Sequence, residues 1–218
     1  MERFGAEPET APGRDAPKDE AFDTAAVLTI SAAHGVHDLY PSFLAPLLPL
    51  LIDKLGIPLA AAGGLATVLR AGSLAQPFMG LWADRTDSRY FLIATPALTG
   101  LCMSLLGLAP TYLSIVLLLA VAGLSSSAFH PAAAAAVTGA SGRSWGRGTS
   151  IYMTGAKLGL GVGPLFIVSV VTWLGMEMSF AAALPGVAFS LMLYLRFRKR
   201  RTPTVRKARG VGMWEAVK

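Results

Sequence analysis

The stretch Gly80–Arg89 reads GLWADRTDSR, with Asp84, Arg85, Asp87 and Arg89 crowded into six positions. On either side the chain turns apolar: Leu59–Trp82 runs into it and Tyr90–Leu108 runs out of it. Each flank is close to the roughly 20 residues that a helix needs to cross the hydrocarbon core of a bilayer. A short charged hinge between two such runs is the pattern of a loop joining membrane helices, and it decides the fold class.

The rest of the chain repeats the pattern. Six segments reach spanning length: Ala25–Leu51, Leu59–Trp82, Tyr90–Leu108, Tyr112–Thr138, Thr149–Trp173 and Ser179–Leu195. Backbone polar groups in lipid must be satisfied within the segment, so each is expected to be a helix. The expected fold is an all-α membrane protein with six transmembrane helices over residues 25–195. Residues 1–24 are polar and proline-rich and read as a disordered cytoplasmic tail. Residues 196–218 read as a basic cytoplasmic tail.

Composition agrees. Of 218 residues, 53% are hydrophobic and 15% charged, against about 25% charged in an ordinary soluble domain. The net charge of +6 is no sign of nucleic-acid binding, because eight of the nineteen Lys and Arg fall between Arg196 and Arg209, directly after an apolar run. That placement marks a cytoplasmic membrane flank. Arg85, Arg89, Arg143 and Arg147 fall in loops of the same side, whereas the opposite loops hold only Lys54. Both termini are therefore expected in the cytoplasm, in a multi-pass protein of the inner (plasma) membrane. The single Cys102 excludes an intramolecular disulfide framework.

An ionised side chain at the bilayer centre costs about 2.5–3.5 kcal/mol on insertion scales, so polar residues inside the spans mark a candidate site. His34 and Asp38 stand one helical turn apart on the first span, with His37 on an adjoining face. Pro41, Pro46 and Pro49 follow, and a break or kink is expected there. Arg70 falls at a depth similar to Asp38. The two could form a structural salt bridge, or a pair with which substrate or proton competes. Imidazole titrates near neutral pH, so His34 could carry a proton or serve only as a hydrogen-bonded packing residue. In the fourth span, Ser125-Ser126-Ser127-Ala128-Phe129-His130-Pro131 combines small serines with a proline-broken turn, and His130 is either a site ligand or a polar partner of that turn. Lys157, two turns inside the fifth span, would with Arg70 favour an anionic substrate. Gly155, Gly159, Gly163 and Pro164 recur at the spacing of a close helix-packing face.

Histidines in spans one and four, Arg70 and Lys157 in spans two and five, and prolines late in both of the latter, outline two three-helix units of inverted topology.

The hinge resembles G-x-L-A-D-R-x-G-R-[RK] of the major facilitator superfamily, matched at Gly80, Ala83, Asp84, Arg85 and Arg89. Three longer stretches narrow the resemblance to its fosmidomycin-resistance group: HGVHDLYPSFLAPLLPLL (His34–Leu51), AQPFMGLWADR ending the second span, and SSAFHPAAAAAVTGASGRSWGRGTSIYMTGAKLGLGVGP (Ser126–Pro164). The third ends in a G-x-x-x-G-P core similar to the antiporter motif, without the glycine pair that usually follows it. The resemblance implies a proton-driven exporter of small molecules, the namesake being a phosphonate antibiotic. It implies a 3+3 inverted repeat forming the N-terminal half of a twelve-helix fold, and a conformational hinge at Gly80, Asp84, Arg85 and Arg89. It covers about residues 25–200. The expected partners are thus the lipid bilayer, protons, a small-molecule substrate and a C-terminal six-helix half, whether from the same gene, a split chain or a second copy.

Two other classes compete with this reading. An intramembrane enzyme would need a G-x-S-G nucleophile turn or H-E-x-x-H, and neither occurs. A non-transporting or partner-dependent scaffold is what an inactive half would be. No nucleotide-binding motif occurs, and no cofactor, metal or nucleic-acid partner is expected.

Overall fold

In the computed structural model of the chain the described residues are 21–198, the side chains of Asp84 and Arg85 excepted. The two expected tails therefore lie mostly outside the described residues, as does any account of the Asp84 and Arg85 side chains.

Every regular element in the described residues is helical, with no strands. The α-helices are α1 (Thr24–Leu39), α2 (Leu44–Leu55), α3 (Leu59–Ala71), α4 (Gln76–Arg85), α5 (Arg89–Ser104), α6 (Tyr112–Ser141), α7 (Trp145–Leu174) and α8 (Leu184–Phe197). Short 3₁₀ turns join α1 to α2 at Pro41–Phe43 and α3 to α4 at Gly72–Ala75. Another, at Met176–Ala183, leads into α8.

The boundaries follow from local chemistry. The Asp23 carboxylate accepts the Ala26 amide at 2.9 Å and caps α1. Thr111 and Ser114 form a reciprocal capping box that starts α6. Pro77 and Pro185 sit in the first turns of α4 and α8, where a missing N–H costs nothing. Gly56 ends α2 at φ 61°, a left-handed conformation that glycine adopts without penalty. The expected break in the first segment falls at Pro41, and Pro49 is accommodated inside α2.

Among the described residues four stretches are long and apolar enough to cross a membrane: Thr24–Leu55, Arg89–Leu108, Tyr112–Leu174 and Met176–Phe197. The third, at 63 residues, contains both α6 and α7. The loop expected over residues 139–148 shrinks to a 3₁₀ turn, Gly142–Ser144. The alanine-rich run before it keeps α6 helical to Ser141, and Gly142 at φ 50° stops it. The second expected segment is helical but not among the four. It carries Arg70 and four glycines, Gly63, Gly64, Gly72 and Gly80, which dilute its apolarity.

The exterior is apolar: Leu113, Leu117, Val121 and Leu124 form an exposed stripe along α6, and Leu158, Val162 and Leu165 one along α7. Such continuous apolar surface belongs against lipid. Inside lie two apolar clusters. One, centred on Tyr40, Phe43, Leu47 and Met103, fills the end of the bundle near α2. The other, with Ile30, Leu92, Phe129 and Tyr152, fills the opposite end. Between them is a polar layer.

The tightest crossing is α1 on α7. A Cβ added at Gly155, Gly159 or Gly163 would run into the backbone of Ser31, Gly35 and Leu39 respectively. A second glycine contact, Gly72 on Gly123, brings the α3–α4 junction against α6.

Candidate functional site

All three histidines of the chain converge on one carboxylate. His34 and Asp38, one turn apart on α1, place Nε2 3.2 Å from Oδ2. His37 bends back along the same helix, its Nδ1 3.1 Å from Oδ1. His130, from α6, brings its Nε2 to 3.8 Å from Oδ1. Asp38, His34 and His37 are buried, and His130 is half-buried. Among the described residues no Lys or Arg pairs with this carboxylate.

Hydrogen bonds outside the cluster decide which way its nitrogens face. His34 Nδ1 lies 3.2 Å from the Tyr152 carbonyl on α7. A carbonyl can only accept, so Nδ1 carries the hydrogen and donates it. In a neutral ring, Nε2 then offers a bare lone pair toward Asp38. His37 Nε2 lies 3.3 Å from the Thr99 hydroxyl, which joins Ser125 Oγ at 2.8 Å and through it the Thr95 carbonyl at 3.3 Å, while His37 Nδ1 faces Asp38 Oδ1. Asp38 Oδ2 thus faces a His34 nitrogen held in the acceptor orientation. Acceptor against acceptor is repulsive, so that contact calls for a positive charge, a proton or another cation, between its two atoms.

Aromatic packing holds the rings in place. His34 stacks on Tyr152 with centroids 3.9 Å apart, and His37 on Phe129 at 4.1 Å. His130 meets both rings edge-on at 5.3 Å and lies 3.1 Å from Ser126 Oγ, one turn earlier on α6. α6 runs through Pro131 as one helix, with the carbonyl one turn earlier left without the N–H that proline lacks. The His130 ring is turned to Asp38 and Ser126.

His130 also lines a cavity of about 690 Å3 bounded by α2, α3, α6 and α7. Arg70, Gln76, Ser126 and Pro164 share that lining. Arg70 is exposed within the described residues, and the Asp38–Arg70 pair that their similar depth allows is not among the ion pairs of the described residues, where the histidines occupy the carboxylate. Lys157 is exposed as well and lies outside the cluster. It shares a face of α7 with Leu160 and Pro164 of the cavity wall.

At the hinge, α4 ends at Arg85 and the backbone turns extended at Thr86. Asp87 pairs with Arg89 Nε at 2.7 Å, and Arg89 Nη1 donates to the Arg198 carbonyl at 3.3 Å, tying the start of α5 to the end of α8. Gly80 faces Pro131 of α6 at ordinary contact distance.

The sequence reading missed His37 as a member of the site, because a neighbour at i+1 points to another helix face. It also missed Thr99, Ser125 and the Tyr152 carbonyl, which pairing of distant helices brings in. Only the repeat of Thr95 and Thr99, one turn apart, hinted at a polar face on α5.

Residues 30–217 match the sequence family described as the Major Facilitator Superfamily. The chain belongs to that superfamily. Its members are transporters, so the polar layer belongs to an integral membrane protein of a transporter family. Among curated major facilitator proteins, the chain is 28% identical over 167 residues to the "Fosmidomycin resistance protein" of Escherichia coli (strain K12), covering 76% of this chain and 41% of that protein. It is 27% identical over 152 residues to the "Uncharacterized MFS-type transporter YfnC" of Bacillus subtilis (strain 168), covering 68% of this chain and 37% of that protein. The chain thus spans about two-fifths of the length of these major facilitator relatives.

Proposed function

We propose that this protein is the first six-helix half of a proton-coupled exporter of small anionic compounds, working in the inner membrane with both ends cytoplasmic. The observation that carries the proposal is the Asp38 carboxylate, buried between His34 and His37 and reached by His130 at the wall of a cavity that also holds Arg70.

The six spans are α1–α2, α3–α4, α5, α6, α7 and α8 with its leading 3₁₀ turn. Their pairing supports a 3+3 inverted repeat. The first span crosses the fifth through Gly35 and Gly159, and the second crosses the fourth through Gly72 and Gly123. The two contacts are equivalent when spans one to three are superimposed on four to six. The third and sixth, α5 and α8, pack on each other. A second six-helix unit, from the same polypeptide, another chain or a second copy, closes the cavity.

In this mechanism a proton lies in the His34–Asp38 contact in the occluded arrangement. Losing it leaves a lone pair facing a carboxylate, so the α1 contacts open. Substrate binding at Arg70 and Lys157 is coupled to that opening, and His130, touching both Asp38 and the cavity, links the two. The hinge at Gly80–Arg89 and the α1–α7 crossing let the helices rock without losing contact.

The experiment is protection of efflux-deficient cells by the complete gene product. Fosmidomycin, the compound in the relative's name, is the first probe, followed by other small phosphonates and carboxylates. The proposal expects a several-fold rise in tolerated concentration for at least one anion, lost on Arg70→Ala. No protection against any of them, with the protein present in the membrane, would sink it.

A further inference from the structure

We propose that His34, Asp38 and His130 form a binding site for a divalent transition-metal ion of the zinc class. The ligating atoms of these three residues all lie within 4.8 Å of one another. A tetrahedral ion with bonds of about 2.0–2.2 Å needs its donors roughly 3.3–3.5 Å apart. His34 Nε2 is 3.2 Å from Asp38 Oδ2 and His130 Nε2 is 3.8 Å from Asp38 Oδ1, so the carboxylate and the His130 ring have to turn for all three to share one ion, and His130 is the least buried of the three. Two imidazoles and one carboxylate make a donor set suited to zinc, cobalt or nickel rather than calcium or magnesium.

Second-sphere geometry favours the same occupant. Metal-bound imidazoles characteristically donate their other N–H to a carbonyl or carboxylate. His34 does this through Tyr152, which leaves Nε2 aimed at the carboxylate. His37 takes the other carboxylate oxygen and is locked by Thr99, so it acts as a positioning residue. His130 and Ser126 also line the cavity, so the site borders it. An ion in this place supplies the positive charge that the His34–Asp38 contact calls for. Because ligands must be free of protons to bind metal, metal and protons exclude one another here.

The chain has three histidines and one cysteine, so the site is testable by elimination. The full chain, purified without a histidine tag, is titrated with CoCl2 at neutral pH and followed by visible absorption and equilibrium dialysis. The expected result is one Co2+ per chain with the intense absorption of a tetrahedral site, displaced by ZnCl2. His130→Ala should weaken binding at least tenfold, about the loss seen on disturbing a metal site's supporting residues. His34→Ala, an independent ligand removal, should do likewise, while Cys102→Ser leaves binding unchanged. Wild-type protein that binds no Co2+, or binding that survives both histidine variants, overturns the proposal. The readout involves no transport, so its failure is separate from failure of the exporter proposal.

Discussion

His34 Nδ1 donates to the Tyr152 carbonyl of α7 while His34 Nε2 faces Asp38 on its own helix. One ring thus joins the α1–α7 packing face to the buried carboxylate. The proposed mechanism uses this link: a change in charge at Asp38 is expected to reach the Gly35–Gly159 crossing, and sliding of that crossing to reach Asp38.

Thr99→Val should uncouple without unfolding. The methyl replaces a hydroxyl of similar size, removes the partner of His37 Nε2, and interrupts the run to Ser125 and Thr95. Leaving buried polar partners unsatisfied costs about 1–3 kcal/mol. Protection in the growth assay should fall several-fold at unchanged membrane abundance, measured by blot. Unchanged protection would show that His37 needs no fixed orientation.

The glycine face of α7 predicts a steep positional dependence. At Gly159 a side chain would enter the Gly35 backbone, whereas at Gly161 nothing lies nearby. Gly159→Leu should lower the unfolding temperature in detergent, since overpacking costs about 1–3 kcal/mol or more. Gly161→Ala should match wild type or slightly exceed it, because alanine is the better helix former. Equal effects at the two positions would contradict the α1–α7 crossing.

Arg70→Ala and Arg70→Lys separate charge from geometry. If Arg70 recognises an anion through its planar fork, Lys should restore only part of what Ala removes. Transport of anionic probes should show a raised KM, roughly tenfold or more for Ala given about 1.5–3 kcal/mol for a charged hydrogen bond. Folding is expected to be untouched, because the side chain is exposed to the cavity. An unaltered KM in Arg70→Ala would remove it from the substrate site.

Much of this was readable from the chain itself. The apolar run lengths gave the helices, since lipid permits little else, and Pro41 gave the break in the first. His34 and Asp38 were legible as a pair because four residues make one turn. What stayed hidden depended on which helices touch. The sequence offered Arg70 as the natural partner of Asp38 on grounds of charge and depth, but depth says nothing of azimuth, and three imidazoles hold the carboxylate instead. The orientation of His34 rests on a backbone carbonyl 118 residues away in sequence, which no side-chain pattern encodes.

The account stands or falls on Asp38 as the proton-carrying group. The direct test is pH-gradient-driven uptake of labelled fosmidomycin, or of whichever anion the growth assay selects, into inverted membrane vesicles carrying the complete gene product. Wild type should accumulate the compound and lose it on addition of a protonophore. Asp38→Asn keeps the shape but cannot exchange a proton, and should stay at the level of empty vesicles while equally abundant in the membrane. Gradient-driven uptake by Asp38→Asn at the wild-type rate would contradict the account.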